Sequence, residues 1–199
     1  FVGAEVVFTD VDPDSGLMRE SDLAKALERA PSAKAVFPVH LRGQTVDMKN
    51  ICRLARQQGL KIVEDACHAL GTIYDDGKRR VGDCSESDLA VYSFHPVKAI
   101  AMGEGGAIAT DDPKIAARLR SIRNHGMITD PNELQNHDLA FDDFGDKNPW
   151  YYEMANLGFN YRASDVHCAL GLSQLSRLDE FLNKRRKIVE WYDAGITNL

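Results

Sequence analysis

The chain has 199 residues, of which 44% are hydrophobic and 27% are charged, and its formal net charge is −6. This length can bury a substantial core, and the composition is ordinary for a soluble globular protein. The negative net charge argues against a general nucleic-acid surface, and the longest apolar runs are only strand-length, so no membrane span is expected.

Strand and helix patterns alternate through the first two-thirds of the chain. Four apolar runs are typical of strands and lie at residues 6–8, 35–39, 61–65 and 89–93. Between them, apolar residues recur at helical spacing, with Asp47 as a candidate N-cap and Gly59 as a stop signal. The residues on these helical faces are Leu23, Leu27, Ala30, Met48, Ile51 and Ala55. Apolar strands separated by helices predict a mostly parallel sheet with helices on both faces, and therefore an α/β fold.

The pattern changes after residue 93. Residues 105–110 are strand-like but follow a connection too short for a crossover, which predicts one antiparallel strand. Asp112 and Pro113 are predicted to begin a helix that ends near residues 124–126. Residues 127–150 are polar with little periodicity, which is typical of a functional or disordered loop. Ser164 is predicted to cap one long helix that runs towards Tyr192.

Two residues in this pattern point to a specific chemistry. Asp65 ends the 61–65 strand, at the edge where open parallel sheets place ligands, and Lys98 lies in the turn after the 89–93 strand. A lysine amine can form a Schiff base with an aldehyde, and a carboxylate can keep a pyridine nitrogen protonated, as pyridoxal phosphate chemistry requires. A surface lysine and a capping aspartate are the ordinary alternatives, but the pairing of the two favours the cofactor.

Other features of the sequence are less specific. Ser93 could donate its hydroxyl to a phosphate, although a strand-end serine bonded to backbone is equally compatible with the pattern. The glycine-rich residues 103–106 lack the G-x-G-x-x-G spacing, which argues against a Rossmann dehydrogenase. The four cysteines have no C-x-x-C spacing, so we expect reduced thiols in a cytoplasmic protein and no structural metal.

Five ordered motifs together resemble one known family, the DegT/DnrJ/EryC1/StrS aminotransferases, which are PLP-dependent enzymes acting on nucleotide-linked keto sugars. The motifs lie at residues 38–43, 64–71, 93–106, 125–126 and 158–162. Residues 95–98 and 148–153 are most similar to the branch that makes UDP-4-amino-4,6-dideoxy-N-acetyl-β-L-altrosamine on the route to pseudaminic acid.

The resemblance implies the large domain of a type I PLP-dependent transferase (aspartate aminotransferase-like), with pyridoxal 5'-phosphate as its cofactor. By position, it implies that Lys98 is the Schiff-base lysine and that Asp65 pairs with the pyridine nitrogen. It further implies that His68 lies near the cofactor ring and that Ser93 binds the phosphate. Asn160 is implied to reach the phosphate of the neighbouring subunit, so a homodimer with shared active sites is expected.

The implied reaction moves an amino group from L-glutamate to the C4 ketone of a nucleotide-linked 6-deoxy-4-keto sugar. Residues 1–180 are expected to form part of the PLP-binding large domain, without its N-terminal part, and residues 181–199 a helix leading towards an absent small C-terminal domain. Two alternatives remain open. One is a truncated fragment that binds cofactor or dimerises without turnover. The other is a PLP-dependent sugar dehydratase of the same family, in which histidine replaces the lysine, so that Lys98 argues against it.

Overall fold

The computed structural model describes residues 2–196. Its helices are α1 (Glu20–Arg29), α2 (Met48–Gln57), α3 (Pro113–Ile122), α4 (His137–Ala140), α5 (Asp165–Leu175) and α6 (Leu178–Ile196), and a 3-10 turn spans Leu41–Gly43. Its strands are β1 (Ala35–Val36), β2 (Lys61–Asp65), β3 (Leu89–Ser93), β4 (Gly106–Ala109), β5 (Met127–Ile128) and β6 (Glu153–Met154). No helix among these residues is long and apolar enough to cross a membrane.

The main sheet has the strand order β1-β2-β3-β4. The β1–β2 and β2–β3 pairs are parallel, and β4 runs antiparallel to β3. Asp65 pairs with Val91, and Ser93 pairs with Gly106, so the carboxyl ends of β2 and β3 lie side by side. The predictions of an α/β fold, of a mostly parallel sheet and of one antiparallel strand are therefore confirmed.

One face of the sheet carries the hydrophobic core. Asp47 caps α2 by accepting from the backbone N–H of Asn50 at 3.2 Å, and the helix stops before Gly59, which has φ +68°. Ile51 of α2 and Ile62 of β2 have no exposed surface and lie in the same core cluster. On the opposite face, the described residues leave other apolar side chains of this sheet about half exposed, among them Val39 and Ile108. Leu23 of α1 and Ile51 of α2 belong to this core, and Leu27 of α1 packs against it.

The chain divides into two compact units. The first contains the residues up to Asp111 together with those from Ala163 onward, and the second is Asp112–Arg162. In the second unit, residues 127–150 are not the structureless loop that the sequence suggests. They contain β5 and α4, and β5 pairs antiparallel with β6. Leu134 and Ala140 are buried within this region, so a few apolar residues order a segment whose composition is polar.

Two predicted elements are wrong. Residues 6–8 form no strand, and Val6 and Phe8 are 72% and 83% exposed. A strand needs a ladder partner, and none lies beside these residues in the part of the chain that the structure describes. The predicted long helix after Ser164 is two helices, α5 and α6, separated at residues 176–177.

The break between α5 and α6 has a local cause and a packing consequence. The hydroxyl of Ser176 donates to the carbonyl of Ser173 at 2.9 Å, which competes with regular helical hydrogen bonding. After the break, α6 places Leu178 and Leu182 against Gly71, where a Cβ would lie 2.7 Å from Leu182 Cδ1. The predicted helix beyond residue 180 is present as far as Ile196, while residues 197–199 lie outside the described part of the chain. The domain division at residue 180 stays a prediction.

Candidate active site

Strand β2 directs two neighbouring carboxylates to opposite faces of the sheet. Successive side chains of a strand alternate between faces, so Glu64 and Asp65 point in opposite directions. Glu64 is 1% exposed on the core side, whereas Asp65 is half-buried at the carboxyl end of the strand. The two acids therefore have different environments and different uses.

The backbone and side chain of Asp65 are both held in place. Its N–H donates to the carbonyl of Pro38 at 2.9 Å, and its carbonyl accepts from the N–H of His40 at 3.0 Å. Its Oδ1 accepts from the N–H of Cys67 at 3.1 Å. The Cys67 side chain also contacts this carboxylate. An ionised carboxylate has about four lone-pair sites, so Asp65 can still accept a hydrogen bond from a ligand N–H.

Lys98 lies in the irregular turn that joins β3 to β4. Its N–H donates to the carbonyl of His95 at 2.9 Å, and Met102 N–H donates to the carbonyl of Phe94 at 3.0 Å. The side chains of Ile100 and Met102 are buried, which anchors the turn to the body of the unit, and Lys98 itself is half-buried. The turn is thus ordered although it contains no regular secondary structure.

The pKa of the Cys67 thiol is affected by both candidate catalytic groups. Burial is the main cause that raises the pKa of Cys67 to about 11, the contact with Asp65 raises it further, and the charge of Lys98 lowers it. The β2–β3 register sets the carboxyl ends of the two strands side by side, so Asp65 lies beside the point at which the turn with Lys98 begins. That the two side chains form one site stays a prediction.

Ser93 and His68 lie at the same edge. Ser93 Oγ accepts from the N–H of His95 at 3.4 Å, which leaves its hydroxyl proton free to be donated elsewhere. His68 is exposed, and its Nδ1 accepts from the backbone N–H of Arg42 at 3.3 Å. An accepting Nδ1 leaves the proton of a neutral imidazole on Nε2. Both residues have geometry compatible with their predicted roles, which stay predictions.

Asn160 belongs to the second unit. It is exposed and forms an isolated antiparallel bridge with Asn124, and the neighbouring Tyr161 N–H donates to the carbonyl of Arg123 at 2.9 Å. These bonds define its local backbone. Its implied contact with the phosphate of a neighbouring subunit stays a prediction.

A buried polar cluster beneath the site was not predicted from the sequence. Glu64 Oε2 lies 2.9 Å from His40 Nε2 and also accepts from the hydroxyl of Tyr74, while Oε1 accepts from the hydroxyl of Ser87. All four residues are less than 9% exposed. His40 Nδ1 accepts from the backbone N–H of Val46 at 3.2 Å, so Nε2 carries the proton and donates to the carboxylate. The pair is therefore a neutral imidazole bonded to a carboxylate.

Three donors keep Glu64 ionised inside the core. Burial on its own raises the pKa of Glu64, but the hydrogen bonds from His40, Ser87 and Tyr74 outweigh it and hold the pKa below its usual value. Burial and the contact with Glu64 both raise the pKa of Tyr74, so its hydroxyl stays protonated as a donor. The sequence signal was a glutamate inside an apolar strand, because such a residue requires buried partners.

Neither a metal site nor a disulfide bond is found among the described residues. Within the described residues, no group of three or more His, Cys, Asp or Glu side chains is placed to hold a metal ion. All four cysteines are free thiols. The candidate site is therefore the edge that carries Asp65, His68, Ser93 and Lys98.

Comparison with known proteins agrees with this geometry. The family model described as the DegT/DnrJ/EryC1/StrS aminotransferase family matches residues 1–199. The chain is 35% identical over 191 residues to a UDP-4-amino-4,6-dideoxy-N-acetyl-beta-L-altrosamine transaminase of Campylobacter jejuni, covering 96% of this chain and 45% of that protein. It is 36% identical over 200 residues to a GDP-perosamine synthase of Caulobacter vibrioides, covering 100% of this chain and 47% of that protein.

The structural comparison agrees with the sequence comparison. The structure of Helicobacter pylori PseC, an aminotransferase involved in the biosynthesis of pseudoaminic acid, matches with a TM-score of 0.79 at 28% identity. The match covers 96% of this chain and 45% of that one. The chain thus spans less than half the length of each of these three relatives, and it shares the fold of the PseC structure over almost all of its own length.

Proposed function

We propose that this chain, which belongs to the DegT/DnrJ/EryC1/StrS aminotransferase family, forms the cofactor-binding part of a nucleotide-sugar aminotransferase. The proposed reaction moves an amino group from L-glutamate to the C4 ketone of a nucleotide-linked 6-deoxy-4-keto sugar. The observation that supports the proposal is the position of Asp65 at the carboxyl end of β2, beside the carboxyl end of β3 from which the turn with Lys98 follows. The names of two relatives, a UDP-sugar transaminase and a GDP-perosamine synthase, support a nucleotide-linked substrate and leave the nucleotide open.

The donor set of this edge fits pyridoxal 5'-phosphate. When bound, the cofactor supplies an aldehyde and a pyridine ring that accepts electrons from a substrate carbon. Asp65 has carboxylate lone pairs that could accept from the pyridinium N–H, and Lys98 has a primary amine for the aldehyde. Ser93 has a hydroxyl proton for the phosphate, and the His68 imidazole is exposed and would lie against the ring.

Lys98 has two tasks in the proposed reaction. Its amine holds the cofactor between reactions, and its free base moves protons during them. In the first half, Lys98 Nζ would take the proton from Cα of glutamate, whose amino group would stay with the cofactor while water supplies the keto oxygen of 2-oxoglutarate. In the second half, that amino group would replace the C4 ketone oxygen of the sugar, which leaves as water, and Lys98 Nζ would return a proton to C4. Throughout, Asp65 remains the hydrogen-bond acceptor that holds the ring in its electron-accepting form.

The proposal includes a homodimer in the cytoplasm. Asn160 would bind the cofactor phosphate of the partner subunit, so each active site would contain residues from both chains. The four free thiols favour a reducing compartment, and the net charge of −6 disfavours nucleic acid as a partner.

The first test is a trapping experiment on the purified chain. After incubation with pyridoxal phosphate and reduction with borohydride, the adduct is located by peptide mass. We expect it at Lys98, absent from Lys98→Ala and unchanged in Lys49→Ala, a control on the exposed side of α2. Adducts scattered over many lysines would contradict a formed pocket in this chain.

A second measurement separates binding from turnover. Glutamate-dependent formation of 2-oxoglutarate is expected for the unmodified protein and not for Lys98→Ala. Full turnover by Lys98→Ala would contradict the assigned role of the lysine. A selective adduct without any reaction with glutamate would instead favour the alternative of a chain that binds cofactor without turnover.

A further inference from the structure

The turn that carries Lys98 is held from a distant helix. Arg185 of α6 donates from Nη1 to the carbonyl of Ala99 at 3.0 Å and from Nη2 to the carbonyl of Lys98 at 3.1 Å. The two donors belong to one rigid, planar guanidinium group. A single side chain therefore holds two consecutive peptide groups of the turn. Arg185 is the one donor to either carbonyl among residues 2–196.

These bonds fix the backbone on both sides of the Lys98 Cα. The peptide before it is fixed because Lys98 N–H donates to the carbonyl of His95 at 2.9 Å. The peptide after it is fixed by Arg185. Because peptide groups are planar, holding both planes sets φ and ψ of Lys98 and with them the direction of its Cα–Cβ bond. The Lys98 side chain thus leaves the backbone in a defined direction.

The rest of the turn is anchored differently. Ile100 and Met102 are held by burial of their side chains, and Gly171 of α5 packs so closely that a Cβ there would lie 3.2 Å from Met102 Cβ. Packing of these later residues does not orient the peptide that follows Lys98. That orientation depends on the two hydrogen bonds from α6.

We propose that Arg185 is a positioning residue that aims the Lys98 side chain and links the placement of α6 to the reactive amine. The inference rests on the proposed role of Lys98. Arg185 touches neither of the reacting groups, and it acts only through the backbone of the turn. A movement of α6 along its axis would accordingly be transmitted to the lysine.

The chain provides a matched control one residue away. Arg186 has the same charge and also lies exposed on α6, but its Nη1 donates to Asn183 Oδ1 at 2.9 Å within the helix. Arg186→Gln therefore removes the same charge as Arg185→Gln without removing a bond to the Lys98 turn. Arg185→Lys keeps the charge but replaces the two-pronged donor by a single ammonium.

The first readout is hydrogen–deuterium exchange of the peptide covering residues 95–103, which needs no cofactor. We expect Arg185→Gln to speed exchange there about tenfold, as for the loss of hydrogen bonds from a charged donor. Arg186→Gln should exchange like the parent, and Arg185→Lys should be intermediate. Parent-like exchange in both Arg185 variants would overturn the inference. Since the lysine variant retains charge and bulk, it decides the question even if the glutamine variant unfolds.

The second readout is the ratio of reduced pyridoxal phosphate adducts at Lys98 and at the exposed Lys49. A positioning role predicts a several-fold lower ratio for Arg185→Gln at a temperature where it is fully folded, and no change for Arg186→Gln. A lower melting temperature with an unchanged ratio would assign Arg185 a purely structural role and overturn the inference. If the parent chain shows no preference for Lys98, the proposed function is contradicted instead. The hydrogen–deuterium exchange measurement would still test whether the Arg185 hydrogen bonds hold the turn.

Discussion

Removing one hydroxyl from the buried cluster tests how the ionised Glu64 is stabilised. Tyr74→Phe keeps the aromatic ring and deletes only the donor to Glu64 Oε2. His40 and Ser87 remain as donors to the carboxylate, so the charge stays partly compensated. The substitution therefore isolates one hydrogen bond to a buried charge.

The expected loss follows from the charge of the acceptor. A hydrogen bond to a charged group contributes about 1.5–3 kcal/mol to folding, against about 0.5–1.5 kcal/mol for a neutral pair. For a chain of this length, a loss of about 2 kcal/mol lowers the melting temperature by about 4–8 °C. The matched control is Tyr92→Phe, which deletes a hydroxyl that donates to the neutral carbonyl of Val81 at 2.6 Å. Its loss should be smaller.

The two variants should also differ in their dependence on pH. Folding holds the pKa of Glu64 below the usual 4.5, so its ionisation stabilises the fold fully above pH 4.5. That contribution disappears as the pH falls through the lowered pKa. Tyr74 stabilises the ionised form, so the gap between parent and Tyr74→Phe should be largest near neutrality and shrink below pH 4.5. The gap for Tyr92→Phe should stay constant.

Thermal unfolding followed by circular dichroism between pH 3.5 and 7.5 measures both gaps. The reasoning would be refuted by a Tyr74→Phe gap that is the same at every pH, because the hydroxyl would then contribute without reference to the carboxylate charge. An equal loss for Tyr74→Phe and Tyr92→Phe at pH 7 would refute the assigned magnitude.

Three further substitutions test other parts of the structure. Gly126 has φ +72°, and a Cβ there would clash with the carbonyl oxygen of Asn156, so Gly126→Ala should destabilise the second unit by more than about 2 kcal/mol. The control is Gly145→Ala. Gly145 has φ +84° but open space around it, so this substitution should cost about 1 kcal/mol. Limited proteolysis of that unit compares them, and equal losses would contradict the clash. Asp47→Ala removes the N-cap of α2 and should cost about 1 kcal/mol in urea unfolding; an unchanged midpoint would mean that the cap contributes nothing. Asp65→Asn should lower glutamate-dependent 2-oxoglutarate formation on the order of 10²-fold while the Lys98 adduct still forms, and undiminished formation would remove Asp65 from the mechanism.

Local signals predicted many of the helices and strands. Asp47, Asp112 and Ser164 each accept a hydrogen bond from the first turn of the helix that follows, as short polar caps do wherever they precede a helix. The strand-like runs at residues 61–65 and 89–93 have the predicted bounds. The antiparallel β4 followed from the length of its connection alone. Such features depend on neighbours in the chain, so the sequence reports them directly.

Predictions that needed a distant partner were less successful. Residues 6–8 have the composition of a strand, but composition cannot supply a pairing neighbour. The packing of Leu178 against Gly71, which accompanies the division between α5 and α6, is a contact that periodicity within one helix does not contain. The order in residues 127–150 comes from the pairing of β5 with β6 and from two buried apolar residues in a polar segment.

For the site, the sequence by itself indicated the family and the proposed chemistry: an aspartate and a lysine after consecutive parallel strands, within motifs typical of that family. Only the tertiary structure decided what holds those residues in place. Glu64 meets His40, Tyr74 and Ser87 from segments 24, 10 and 23 residues away, and Arg185 reaches the Lys98 turn from 87 residues away. Chemical type is a property of each residue, whereas contacts over such separations exist only once the chain has folded and buried the groups that must be paired.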